Sequence, residues 1–475
     1  MACLLVSVVG LIALGGLAYA LDRFGRTPRE WAPYLDRRAR NHNPIIVHTV
    51  SAVTAWLRYA DGLPGAGQEA VTWTGASTDR PMLPTPPLEP RQLRLIGSVE
   101  QLREALRSVQ PGDVLEMLPG TYRIGYPALS AAAAGRAGAP ITLRAARLGF
   151  VTFESDTVEA FSVRGPYWVF ENLDIRGVCG SDADCEHAFH VVAGASHVVI
   201  RNNRLTDFNA HLKINGENGS FPDDGRIEFN TITDDRPRST SNPVTPIDMV
   251  GNDGWVVSGN LITDFIKADG DDVSYGAFAK GAGSHNMFEG NVVLCEDKLR
   301  GFPGERIGLS FGGGGTGAEY RRDIGKSGLE QSASIMRDNL IAFCSDVGIY
   351  LNRSAGSAIE GNTLIDTAGI VSRFPESSAE ISNNIVDGVI RGRDGGGVSG
   401  GGNAQSPLLG LFLGWHPQRA LFSDPARLNL AWRDPPPQQP GAPGVADLCG
   451  KVRGAMARPG AFDDFSGCLF PGSRR

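Results

Sequence analysis

In the stretch YGAFAKG (residues 275–281), the small Ala277 and Ala279 alternate with Phe278 and Lys280. Successive side chains of a β-strand point to opposite faces, so the alanines point inward and Phe278 and Lys280 outward. The same alternation, set by Leu212 and Ile214 and by Ile349 and Leu351, turns outward His190, His211, Lys213, Asn215, Asp248, Ser310, Tyr350, Asn352 and Arg373. A one-residue slip would bury Lys280 and expose the apolar set, which constrains the phase strongly.

Amines, imidazoles, a phenol and guanidiniums along one stripe suit acid–base work on an anionic carbohydrate. β-Elimination from a uronate needs a group that neutralises the carboxylate, a base for the C5 proton and an acid for the leaving oxygen. Lys280 is the candidate base, provided that burial or the cations Arg306 and Lys213 lower its pKa. Tyr350 is the candidate acid, or takes both proton steps if Lys280 neutralises the carboxylate. His190 and His211 are further acid–base candidates. Arg353 and Arg373 are placed to bind carboxylates bidentately. Phe278 and Tyr350 suit stacking on sugar rings. Against all of these stands the plain alternative of an ordinary wet sheet face, on which outward residues are polar by default.

The element that would position such a stripe is a repeat. A short apolar alternation leading into Asn recurs at Asn172, Asn203, Asn230, Asn260, Asn291, Asn339, Asn362 and Asn384, at intervals of 31, 27, 30, 31, 48, 23 and 22 residues. Coils of this length, built of short strands without helical periodicity, point to an all-β, right-handed parallel β-helix of pectate-lyase type. In such a solenoid the Asn residues stack coil on coil and satisfy the turn backbone. The 48-residue interval holds an excursion around residues 312–331, expected to overlook the binding face.

The β-helix domain is expected over residues 91–403. Ser98 caps a helix over 97–110, with Leu102, Leu106 and Val109 on one face, that closes the first coil. Residues 22–90 are Pro-rich and poorly periodic and read as a poorly structured extension, partly disordered or wrapped on the solenoid. The Pro-rich residues 404–475 are expected to cover the last coil. Residues 1–21 are apolar from Ala2 to Leu21 and read as a cleaved signal peptide or a membrane anchor. Cys179 with Cys185, Cys295 with Cys344 and Cys449 with Cys468 fall into three neighbourhoods. They read as three disulfides of an oxidising compartment, or as six buried thiols. The expectation is a secreted, periplasmic or envelope-associated monomer. A net charge of −7 excludes a nucleic-acid partner and leaves a polysaccharide.

PGDVLEMLPGTYR, then GAPITLRAA and YWVFENLDI, resemble the opening of the chondroitinase-B and alginate lyase family of β-helical polysaccharide lyases. The resemblance spans roughly residues 95–400. It implies a β-helical lyase acting on an acidic polysaccharide. In FAKGAGSHN it places Lys280 at the family's catalytic Lys. The family's Arg-bearing element corresponds to GLSFGGGG, where Phe311 and Gly312 stand and no Arg does. Calcium is the cofactor that the family admits, and no acid here is assigned to it. A second resemblance, GDD at Gly270–Asp272 followed by GLSFGGG, is to the β-helical polygalacturonases, although their His and Arg-x-Lys elements are missing. A third reading is a non-catalytic glycan-binding or envelope β-helix.

Overall fold

The protein is described by a computed structural model covering residues 25–62, 71–82, 90–313, 315–323, 327–441 and 443–469. The apolar stretch 2–21 lies outside these residues. Three long parallel sheets of 12, 10 and 11 strands wind into a β-helix. Each strand pairs with its counterpart one coil away, in unbroken register.

The first sheet runs from Gln92–Ile96 to Gly397–Ser399. The second sheet carries the stripe described above. Its strands are β1 (Leu129–Ala131), β2 (Glu159–Val163), β3 (His187–Val192), β4 (Leu212–Asn215), β5 (Ile247–Val250), β6 (Val273–Lys280), β7 (Glu305–Phe311), β8 (Ile349–Asn352), β9 (Gly369–Arg373) and β10 (Val389–Arg393). The third sheet runs from Gly120–Ile124 to Ala404–Gln405.

Inward positions form stacked apolar columns. Phe189, Leu212, Ile247, Ala277, Leu309, Ile349 and Ile370 occupy one column, and all are fully buried. Phe161 and Phe189 stack at 5.2 Å between ring centroids, and Phe170 meets Phe189 at 4.9 Å.

The corner between the first and third sheets is held by an amide ladder. Asn230 Oδ1 accepts from the backbone N–H of Asn203 at 3.0 Å and from its Nδ2 at 3.1 Å, while Asn230 Nδ2 donates to the carbonyl of Ile200 at 2.9 Å. The pattern repeats through Asn260, Asn291, Asn339, Asn362 and Asn384 and ends at Asn403. Every rung from Asn203 to Asn384 is fully buried, so these amides satisfy backbone groups that water does not reach. Asn172 departs from the expectation. It sits one residue early, in left-handed backbone with φ 62°, and stacks on Asn202, whose Nδ2 donates to its Oδ1 at 2.7 Å. Leu173 takes the rung position, its N–H donating to Asn203 Oδ1 at 2.9 Å.

Of the two alternatives for residues 22–90, disorder or wrapping on the solenoid, the described part takes the second, and as helices rather than poorly structured chain. Helices α1 (Pro28–Ala39) and α2 (Pro44–Asp61) form a hairpin docked on the solenoid. Thr27 and Glu30 close a capping box at α1, Asn43 caps α2, and Pro occupies the first turn of each. Arg29 fastens the hairpin by ion pairs to Asp61, at 2.6 Å, and to Asp366, and by a bond to the carbonyl of Cys344 at 2.7 Å. Helix α3 (Val99–Ser108), capped by Ser98, buries Leu102 and Leu106 against the first coil.

The C-terminal segment also differs from the expectation. It touches the last coils at Asn383 but packs mainly along the outer side of the third sheet. There Phe422, Leu430, Phe462 and Phe465 cover Leu261, Leu294, Leu340 and Ile385.

Three disulfides link Cys179–Cys185, Cys295–Cys344 and Cys449–Cys468. Mass spectrometry after alkylation of denatured, unreduced protein is expected to find these six cysteines unmodified; labelling at any of them contradicts the pairing. Asn260→Ala removes the acceptor for the Asn230 N–H and the donor to Ile227 O. It is expected to destabilise by about 2–4 kcal/mol, against roughly 1 kcal/mol for Asn403→Ala at the end of the ladder, as read from denaturant midpoints. Equal costs would contradict a cooperative buried ladder.

Candidate functional site: the outer face of the second sheet

Register alone decides which side chains stand side by side on this face. His190, Lys213, Asp248, Phe278, Ser310, Tyr350 and Val371 form one outward row across β3–β9. Asn215, Val250, Lys280, Gly312, Asn352 and Arg373 form the next. Two clusters result.

The first is centred on β4–β6. Lys213 Nζ donates to Asp248 Oδ2 at 2.7 Å, and the Asp248 carboxylate is almost fully buried. Lys280 Nζ lies 4.5 Å from the Phe278 ring centroid and donates to the carbonyl of Gly315 at 3.3 Å. Burial is the main cause that pushes the Lys280 ammonium below the usual lysine range. Lys213 adds to this and Asp248 opposes it. His190 is held from both sides, Nδ1 by Glu159 Oε1 at 2.5 Å and Nε2 by Asn215 Oδ1 at 2.9 Å. The neighbouring His187, missed in the sequence, lies 5.1 Å from His190 between ring centroids. Burial, then the charge of His190, lowers its pKa to about 4, so it is neutral at physiological pH.

The second cluster lies over β6–β10. Tyr350 Oη accepts from Arg373 at 3.2 Å and from Asn352 Nδ2 at 3.4 Å. Arg373 also pairs with Asp394 at 2.6 Å. Tyr275, Tyr350, Asp346, Glu305, Arg373 and Arg393 line a cavity of about 230 Å³. A neighbouring cavity of about 240 Å³ shares Glu305, Asp346, Arg373 and Arg393 and is walled by Arg26, Glu30, Tyr34 and Arg37 from the hairpin. Glu30 of α1 ion-pairs with Arg391 and lies 3.8 Å from Arg393, and Arg37 pairs with Glu305 at 2.6 Å. Burial, with the charges of Glu30 and Glu305, pushes Asp346 up to about 7. The sequence signal for these hairpin residues was the pair of caps, T-P-R-E at Thr27 and N-P at Asn43.

The excursion after β7 ties down beside the first cluster. Glu330 accepts from the N–H of Gly281 at 2.9 Å and from Arg321 at 2.5 Å. Arg322 reaches across to Gly251 O at 2.8 Å and to Asp223 at 2.5 Å. Gly312 is required where this loop leaves the sheet, because its φ is +81° and a Cβ would stand 1.9 Å from the carbonyl of Asn352.

Several expectations need correction. His211 is not on the groove: it precedes β4 at the bend between sheets, is fully buried and sits 3.4 Å from the buried Asp234. Phe278 and Tyr350 do point outward, yet are only 4% and 7% exposed, so neither offers an open stacking platform. Arg306 is tied to Glu296 at 2.6 Å, away from Lys280. Arg353 lies in the turn after β8, over the Phe374 ring and 3.8 Å from Glu376. Asp271 is held by Lys267 at 2.6 Å and does not meet the groove acids. Among the described residues, no group of His, Cys, Asp and Glu is arranged to hold a metal ion, so no step is routed through calcium.

No family model matches the chain, and no curated protein matches it in sequence. Solved structures similar to it include pectate lyase Pel9A, at 14% identity and a TM-score of 0.49 over 79% of this chain and 97% of that one. They also include an alginate lyase from Paenibacillus sp. str. FPU-7, at 16% identity and a TM-score of 0.38 over 66% of this chain and 99% of that one. A lacto-N-biosidase from Eubacterium ramulus is similar at 11% identity and a TM-score of 0.43, over 66% and 68%. With identities of 11–16% and TM-scores below 0.5, these likenesses carry no argument about activity, and the parallel β-helix rests on the three sheets themselves.

Proposed function

We propose that this chain is a carbohydrate-active β-helix protein that cleaves an acidic, uronate-containing polysaccharide by β-elimination on the outer face of its second sheet. The observation that carries the reading is the state of Lys280. Every other groove cation from Lys213 to Arg393 pairs with a carboxylate, whereas among the described residues Lys280 forms no ion pair: it donates to a carbonyl oxygen over an aromatic face, with Asp248 and Glu330 acting on it from further away. Burial lowers its pKa, which makes the free amine, the form that a base needs, easier to reach than on an ordinary lysine.

In this reading the amine of Lys280 takes the C5 proton of the uronate. The C4–O bond breaks as the C4–C5 double bond forms, and the resulting ammonium returns its proton to the leaving oxygen on the same face. Lys213, oriented by Asp248, offers positive charge to the uronate carboxylate. Tyr350 stands two strands from Lys280, about 9.6 Å along the sheet, and serves the neighbouring sugar together with Arg373 and Asn352. His190 and Asn215 border the opposite end.

One observation supports a hydrolytic reading instead. Asp346, pushed up to about 7 beside Glu305, has the protonation that a general acid for glycoside cleavage requires. A polyuronate panel separates the two: β-elimination produces ultraviolet absorbance from the unsaturated sugar, hydrolysis produces reducing ends without it, and a binding protein produces neither.

On a substrate that the wild type cleaves, Lys280→Ala is expected to cut turnover by about 10²-fold or more with an unchanged unfolding midpoint. Near-normal turnover would remove Lys280 from the mechanism. Competitive acylation across a pH range is expected to titrate the Lys280 amine below the ordinary lysine value of about 10.4. It should titrate lower still in Asp248→Asn, because Asp248 favours the ammonium. An unshifted amine, or a rise in the variant, contradicts the electrostatic account.

A further inference from the structure

Helix α2 turns little of its surface inward: Thr54, Leu57 and Asp61 are its buried residues. On the opposite side Ile45, Thr49, Ala52, Trp56 and Tyr59 fall at the spacing of a single helical stripe. Ile45 is 78%, Trp56 51% and Tyr59 87% exposed. Ile46 and Val53, at the sides of the helix, and Val47, near its N-terminal end on the inward side, are exposed as well. The short helix α4 (Leu408–Phe412) packs on α2 and extends the patch with Leu413 and Trp415, 76% and 58% exposed. His416 fixes this junction, its Nε2 lying 3.1 Å from the carbonyl of Ala60. The outer face of this helix, polar in an ordinary surface helix, thus exposes Ile45, Trp56 and Tyr59 in addition to the apolar residues on its inward side.

We infer that this outer face of the hairpin lies in the interface of an anionic lipid bilayer. Three observations select lipid. Trp56, Tyr59 and Trp415 are the residue types that settle at the headgroup level. Residues 26–62 carry six arginines against three acids in a chain of net charge −7, and Arg38, Arg40, His42 and His48 are exposed around the stripe. Residues 22–27 alone separate α1 from the apolar stretch Ala2–Leu21, which has the length to cross a hydrocarbon core. Six extended residues reach at most about 20 Å, so a membrane-held stretch keeps the hairpin at the bilayer surface.

The test uses the full chain and vesicles of phosphatidylcholine and phosphatidylglycerol with brominated acyl chains. None of the seven tryptophans lies in residues 1–21, so quenching reads the folded part and not the apolar stretch. Vesicle-bound wild type is expected to lose tryptophan emission. The double variant Trp56→Phe, Trp415→Phe is expected to stay bound and to lose at least about two thirds of that quenching. Bound but unquenched wild type, undiminished quenching in the double variant, or no vesicle binding each overturns the inference. So does a dimer in sedimentation that Tyr59→Ser dissociates, since the face would then belong to a second copy of this chain.

Discussion

The register between coils rests on buried amides. At the corner from Asn203 to Asn403 each side chain accepts the backbone N–H of its counterpart and donates to a strand carbonyl of the neighbouring coil. A slip of one residue would break these paired bonds on every coil and would turn each strand's apolar set to the outside. The ladder thereby fixes which residues share a row on the second sheet, several residues away in each coil. Lys213 beside Asp248, and Tyr350 in contact with Arg373, are consequences of that register rather than of local sequence.

The same register concentrates charge in a partly dry place. The outward row is walled by the excursion after β7 on one side and by α1 over the last coils. Paired groups tolerate this: Lys213 has Asp248, His190 has Glu159, and Arg373 has Asp394. Lys280 forms no ion pair among the described residues, and burial lowers its pKa against the opposing charges of Asp248 and Glu330. At the other end Asp346 faces Glu30 and Glu305 and is pushed the opposite way, toward its neutral acid. The two groups whose protonation is shifted toward reactivity thus sit at different ends of one face.

The solenoid, its capping helix and most ladder positions were legible because periodicity is a signal shared by many coils. Asn172 was misread by one position because the chain reads E-N-L where the next coil reads R-N-N, and local pattern does not decide which residue takes the rung. Alternation placed Lys213, Phe278, Lys280 and Tyr350 correctly on the outer face, since each sits within a strand. It failed for His211, which precedes β4 at a bend where strand parity no longer applies. Exposure was not legible at all. Phe278 lies under Lys280 and against Tyr275 of its own strand, and alternation assigns a residue to a face without telling how closely its neighbours cover it. The helical hairpin was hidden by its prolines, which read as breakers although Pro28 and Pro44 stand in first turns, where proline is well tolerated.

A crystal structure of the protein with a bound uronate oligosaccharide tests the central claim most directly. The account places the sugar across β4–β8, its carboxylate facing Lys213 and its C5 within about 3 Å of Lys280 Nζ. A saccharide bound instead between Asp346 and Glu305 with Lys280 untouched, or on another sheet altogether, contradicts it.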